Sequence, residues 1–238
     1  MIEKALRYLM GLKEPHMEII NDRTYSDKEL VRVEEEDYAR AFEMTTLSSL
    51  VEYIKSGVDE MKGEMIVHVE SPTRVKVFSQ LDYYRKREHV VVVEACLPKV
   101  TVDQFVEKEM FNIALQSKFV DNDDKALLLK FSGTVEDKTV AEYGDDGVSQ
   151  KATIKTGLAS KGEAIVPNPV RLKPFRTFTE VDQPESAFVF RMKNDSYAGI
   201  TCGIFEADGG AWKREAMESV KAYLKEELKD VAGYVIIS

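Results

Sequence analysis

Polar groups, conformational freedom and an aromatic ring fall closest together in the stretch Glu206-Ala207-Asp208-Gly209-Gly210-Ala211-Trp212. A strand pattern ends there, two glycines permit a tight turn, and a helical pattern begins. The free N–H groups at such a helix start can hold an anion, although Asp208 is placed to cap the same groups itself. Asp208, Gly209, Gly210 and Trp212 are therefore candidate ligand contacts, with capping as the structural alternative. Arg171, Arg176 and Arg191 offer planar guanidinium forks that match carboxylate or phosphate oxygens in pairs. The competing reading pairs them internally with Glu180, Asp182 or Glu185. A different chemistry, a divalent metal acting on nucleic acid or nucleotides, would need Asp145 and Asp146 to meet Glu206 and Asp208 in space.

Most other catalytic patterns are absent. Gly157-Leu158-Ala159-Ser160-Lys161-Gly162 approaches a phosphate-wrapping loop, but Glu163 follows, and an acid there repels phosphate. His16, His68 and His89 share no metal-ligand spacing, and Cys96 and Cys202 are isolated, which argues against structural zinc and against a disulfide framework. Asp121-Asn122-Asp123-Asp124 opens like a calcium loop without its sharp-turn glycine or distal glutamate, so a helix cap is expected there. Tyr83-Tyr84-Arg85-Lys86-Arg87 combines rings and cations at a hairpin tip. Such a tip can stack on bases, and more commonly it discourages edge pairing. No catalytic residue, metal or cofactor is assigned, and a non-enzymatic protein is expected.

The elements that must position these groups follow from periodicity. Residues 2–11 read as a short amphipathic helix, and Met17–Ile20 and Leu30–Val33 as a hairpin around Asn21-Asp22-Arg23. Leu47, Leu50, Val51 and Ile54 share a helix face behind a Thr46 cap, with an end near Gly57. Ile66–Glu70 and Arg74–Phe78 alternate at period two, and His89–Ala95 is a β-branched run suited to a strand covered on both faces. Thr101-Val102-Asp103-Gln104 fits a capping box opening a helix through Ala114, packed on the preceding sheet. A β-rich block is expected from about Lys130. It includes a hairpin turning at Gly144-Asp145-Asp146-Gly147, and Glu163–Leu172 broken by Pro167 and Pro169. Phe188–Met192 and Ile200–Glu206 read as strands, Ala211–Leu228 as an amphipathic helix, and Tyr234–Ile237 as a last strand. The order predicts an α+β fold of mostly antiparallel sheets with a few packed helices. One domain over 1–238 is expected, with sub-blocks at 1–120 and 125–238.

The 238 residues are 44% hydrophobic and 32% charged, the composition of a globular chain with a core of its own. The net charge of −9, centred on Glu34-Glu35-Glu36-Asp37, disfavours nucleic-acid binding because it repels phosphate backbones. No apolar run approaches the ~20 residues of a membrane span, and the first residues lack a secretory h-region. A cytoplasmic location without membrane contact is expected. Pro-framed, turn-rich residues 166–186 suit an interface, because a rigid segment loses little entropy on docking.

Between residues 145 and 228 stand the words Asp145-Asp146-Gly147-Val148-Ser149-Gln150, Val166-Pro167-Asn168-Pro169-Val170, Pro174-Phe175-Arg176-Thr177-Phe178, Gln183-Pro184-Glu185-Ser186, Phe188-Val189-Phe190-Arg191 and Phe205 to Trp212. On these words the chain resembles an uncharacterised family of phage and prophage proteins found mainly in phages of Gram-positive bacteria. Leu47–Val69 and Leu115–Asp121 are similar too, and a more distant likeness reaches YfdQ-like prophage proteins. The resemblance brings no activity and no catalytic residue. It implies synthesis inside an infected bacterial host. Together with the missing catalytic motifs, it leads to a homo-oligomeric binding protein: an inhibitor or decoy facing a host defence protein, or a sponge for a nucleotide-like small ligand. A metal-dependent enzyme and a virion or scaffold component are the alternatives.

Overall fold

A computed structural model describes residues 2–11, 15–21, 23–28, 39–61, 63–135, 151–155 and 161–238. The elements in chain order are α1 (Ile2–Gly11), β1 (Met17–Ile20), β2 (Arg23–Ser26), β3 (Phe42–Met44), α2 (Leu47–Ser56), β4 (Met65–Ser71), β5 (Arg74–Ser79), β6 (His89–Glu94) and β7 (Gln104–Glu107). They continue with α3 (Lys108–Lys118), α4 (Asp123–Thr134), β8 (Lys151–Lys155), β9 (Lys161–Ile165), β10 (Val170–Leu172), β11 (Ser186–Asp195), β12 (Gly199–Glu206), α5 (Trp212–Glu227) and β13 (Tyr234–Ile237). The fold is α+β. Two compact units form, Met1–Tyr38 and Ala39–Ser238. The first holds α1 and the antiparallel pair β1–β2, in which Ile20 faces Arg23 across a turn at Asn21 (φ 54°). The hairpin is thus shorter than expected: the partner of β1 is Arg23–Ser26. Leu30–Val33 and the acidic run Glu34–Asp37 lie outside the described residues, as do Gly144–Gly147 and Gly157–Ser160.

In the second unit one sheet has the order β13-β4-β5-β6-β3. Its three middle strands are antiparallel, and β13 and β3 run parallel to β4 and β6 at the two edges. Period-two alternation puts Val67, Val69, Val75, Val77, Val91 and Val93 on one face, all at most 1% exposed. Over this face lie Leu47, Leu50, Val51 and Ile54 of α2 together with Val220 and Leu224 of α5. Thr46 Oγ1 accepts the Ser49 N–H at the start of α2, and Gly57, at φ 58°, closes it in the left-handed conformation that glycine adopts without strain. Only one face of β6 is fully buried; Val90 and Val92 remain partly exposed, so its β-branched run does not mark a strand covered on both faces.

The second sheet is antiparallel with the order β10-β11-β12-β7. Phe188, Phe190, Met192, Cys202 and Ile204 face α3 and α4, where Phe111 stacks on Phe190 with ring centroids 5.4 Å apart. Here the expected capping box fails. Gln104–Glu107 is strand β7, pairing Val106 with Cys202 and Phe105 with Gly203, and the helix starts only at Lys108. The apolar residues Val102, Phe105 and Val106 satisfy a strand face as well as a helix face, and pairing with β12 decides between them. Asp103, at φ 61°, turns the chain into β7 and accepts the Glu206 N–H on Oδ1. Accordingly α3 packs on this later sheet, not on the preceding one. Residues 130–134 belong to α4, not to a strand; Asn122 caps that helix and Asp123 and Asp124 sit in its first turn, where the dipole favours acids. Pro167 and Pro169 separate β9 from β10, as the sequence predicts.

Both cores draw on distant parts of the chain. Residues 104–134 serve the second sheet, and α5 and β13 return to the first. The linker 173–185 ties the two together: Phe178 is 1% exposed in the first core, Thr177 Oγ1 donates to Pro72 O at 2.5 Å, and Glu180 accepts the Ser48 N–H at the start of α2.

Candidate functional site

Arg176 is the cation around which the site is organised. Its side chain is only 10% exposed. The guanidinium lies over the Trp212 ring, 4.0 Å from the centroid, and within 5.9 Å of the Phe188 ring. Nη1 donates to Glu206 Oε1 at 3.2 Å, and Nη2 donates to Pro184 O and to Ser186 Oγ. Nε of Arg176 and Nε1 of Trp212 are buried N–H donors with no hydrogen-bond partner among the described residues. Burial pulls the Arg176 pKa down to about 10, against the opposing pull of Glu206, Asp208 and Glu215; the group stays protonated at neutral pH.

The backbone of Arg176 is fixed by Gln183. Gln183 Oε1 accepts the N–H groups of Arg176 (2.8 Å) and Thr177 (3.1 Å), while Nε2 donates to the carbonyls of Thr177 and Phe178. One buried amide thus takes the role of a neighbouring strand for a stretch that has none.

Asp208 completes the polar chain. Ser186 Oγ donates to its Oδ2 at 2.5 Å, and the backbone N–H groups of Gly210 and Trp212 donate to the same carboxylate. Gly209 and Gly210 take φ values of 63° and 82°, which let the turn fold back onto Asp208. The carboxylate therefore occupies the place at the start of α5 that an anion would take. Partial burial works to raise its pKa, but Ser186, Gly210 and Arg176 outweigh that and hold it below the usual aspartate value. A lowered carboxyl pKa contributes stability above the unfolded value and loses it as pH falls through the folded one. Asp208→Ala is therefore expected to cost about 1 kcal/mol at pH 7, with the difference closing in strong acid. Urea unfolding of both proteins across that range measures it; a gap that persists in acid would contradict the assignment.

Beside this network lies a cavity of about 360 Å³. Five segments converge on it: the turn at Thr73, the connection from β6 to β7, residues 174–176, the end of β12 and the start of α5. Leu97, Pro98, Val100, Val102, Pro174 and Phe175 make its apolar wall. Arg176, Glu206 and Trp212 form its polar and aromatic end. The size is at the lower end of ordinary small-molecule sites.

Of the residues singled out by sequence, Arg176 and Trp212 line this cavity, and Asp208, Gly209 and Gly210 support it from the helix start. Arg171 stands elsewhere, 71% exposed and paired with Glu185 at 3.3 Å. Arg191 lies on β11 opposite Gly203, on the face away from Phe190 and Met192. Sequence reasoning gives Glu206 a chemical role only in a metal cluster, marks Gln183 only within a word of the resemblance and assigns it no role, and does not mark the Leu97–Val102 wall. Among the described residues no group of three His, Cys, Asp or Glu is arranged to hold a metal, and Asp145 and Asp146 fall outside them. Cys96 is exposed and Cys202 buried, both as free thiols, and burial pushes the Cys202 thiol up to about 12. Among the described residues no helix is long and apolar enough to cross a membrane. Comparison with protein-family models, with curated proteins and with solved structures gave no match to this chain.

Proposed function

We propose that this is a phage-encoded, homo-oligomeric binding protein of the host cytoplasm, without enzymatic activity, that sequesters a small nucleotide-like ligand. The observation that carries the reading is the apolar cavity closed at one end by Arg176, Trp212 and Glu206. A concave apolar lining with a few convergent polar groups is the usual construction of a small-molecule site. The side chains of 173–185 favour a small ligand over a protein partner: Phe178, Thr177 and Glu180 are engaged within the unit, so this segment does not offer the free rigid surface that an interface with a defence protein would use. Self-association is supported by exposed apolar side chains at Met110 and Ile113 on α3 and at Val235 and Ile237 on the edge strand β13. The phage origin rests on the sequence resemblance.

The test is native mass spectrometry of the protein purified from its bacterial host, before and after denaturation. A defined oligomer that releases a nucleotide-like mass is expected. Trp212 is the sole tryptophan of the sequence and stands in the cavity wall, so its fluorescence reports occupancy directly. A monomer that releases no mass, and whose emission is unmoved by any nucleoside or nucleotide, would refute the proposal.

A further inference from the structure

The charge balance around the cavity narrows the ligand class, and this step rests on the binding reading just given. Proteins hold phosphate chiefly with an open guanidinium fork and with the N–H groups of a helix start. Here both are filled from within. The Arg176 Nη atoms are engaged by Glu206, Pro184 and Ser186, and the fields of Asp208 and Glu215 add to that of Glu206. One cation thus faces three carboxylates. The N–H groups of Gly210 and Trp212, at the start of α5, already meet the Asp208 carboxylate. The remaining cations nearby, Lys99 at the cavity and Lys213 beside the Trp212 ring, are solvent-exposed, where a point charge attracts weakly and salt screens it.

What the cavity does offer is apolar surface and, at Glu206, a hydrogen-bond acceptor; the unpaired N–H groups of Arg176 Nε and Trp212 Nε1 are buried and not presented to an entering ligand. Pro98, Pro174 and Phe175 are among the apolar residues that line it, and Glu206 brings a carboxylate to the lining. A carboxylate has about four acceptor positions. An entering phosphate finds no free guanidinium fork or helix-start N–H to pair with among the described residues, whereas an N–H edge finds the Glu206 carboxylate, whose side chain is 29% exposed.

We infer that the cavity takes an uncharged nucleobase or nucleoside, its ring between the apolar walls and its N–H edge donating to Glu206, and that phosphate groups contribute nothing to its binding. Trp212 fluorescence titration with adenosine, guanosine, cytidine and uridine, and with their mono- and triphosphates, tests this. At least one nucleoside is expected to bind, with its phosphates within about threefold of it and with no competition from inorganic phosphate. Glu206→Gln should weaken that nucleoside several-fold, on the order of the difference between a hydrogen bond to a charged acceptor and one to a neutral amide oxygen. Val100→Phe, which leaves every charge in place, should abolish binding by filling the cavity. A triphosphate that binds tenfold or more tighter than its nucleoside overturns this inference and leaves the binding reading standing. Silence from every compound overturns this inference, and silence together with a monomer that releases no mass in the native spectrum overturns both.

Discussion

Replacing Arg176 by alanine is expected to lower stability by about 2 kcal/mol, a fall in Tm of roughly 4–8 °C for a unit of this size. The substitution leaves Glu206 beside Asp208 without a counter-charge, strips Pro184 O and Ser186 of a donor, and uncovers one face of Trp212. Arg176→Lys keeps the charge but neither the fork nor the flat stack, so about half of the loss should remain. Urea unfolding of the three proteins decides the matter. An alanine variant within 1 kcal/mol of the parent would show that the network is marginal. Trp212 emission should shift to longer wavelength in the native alanine variant, because the ring gains water in place of the guanidinium.

The second large effect is expected at Gln183. Its amide is oriented by its partners, oxygen toward two N–H groups and nitrogen toward two carbonyls. Gln183→Glu sets a carboxylate oxygen against the carbonyls of Thr177 and Phe178 in a site that is 7% exposed. The cost is about 3 kcal/mol at pH 8, from one lost donor pair and a desolvated charge. Burial raises the pKa of the new carboxyl. The variant is therefore destabilised above its folded pKa and recovers as pH falls through it, since the protonated acid can donate again. Stability of the variant measured from pH 4 to pH 8 should fall steadily relative to the parent. A flat difference would mean that the amide donor is not what holds the loop.

These two residues show where the sequence was readable and where it was not. The hairpin of β4 and β5 and the stripe of α5 are local patterns, and residue period and turn chemistry are enough to predict them. Thr46 and Gly57 bracket α2 for the same reason. The segment 101–107 went the other way, because its capping box and its strand face use the same residues and the choice is made by β12, a hundred residues later. The site shares that difficulty. Arg176, Trp212 and Asp208 stood out by type, and Arg171 does pair with Glu185 as the internal reading expects, but the partner of Arg176 is Glu206, thirty residues on and across a strand, while Glu180 turns to Ser48. Gln183 carried one faint signal, a neutral amide before Pro184 in a segment otherwise rich in charge. Nothing local marks Leu97–Val102 as a cavity wall, since apolar residues around a proline serve a core equally well.

The order of strands in the first sheet has a consequence for biosynthesis. Strands β4, β5 and β6 leave the ribosome well before β13, the outer neighbour of β4, and before α5, which covers their apolar face. At 5–20 residues per second, the nascent chain holds that edge and that face open for on the order of 10 s. During that interval the exposed β4 edge is a template for pairing with another chain. Translation speed and chaperone supply should therefore govern the yield of native protein more strongly than its final stability does. A circular permutant that places α5 and β13 ahead of β3 would shorten the interval and relieve that dependence.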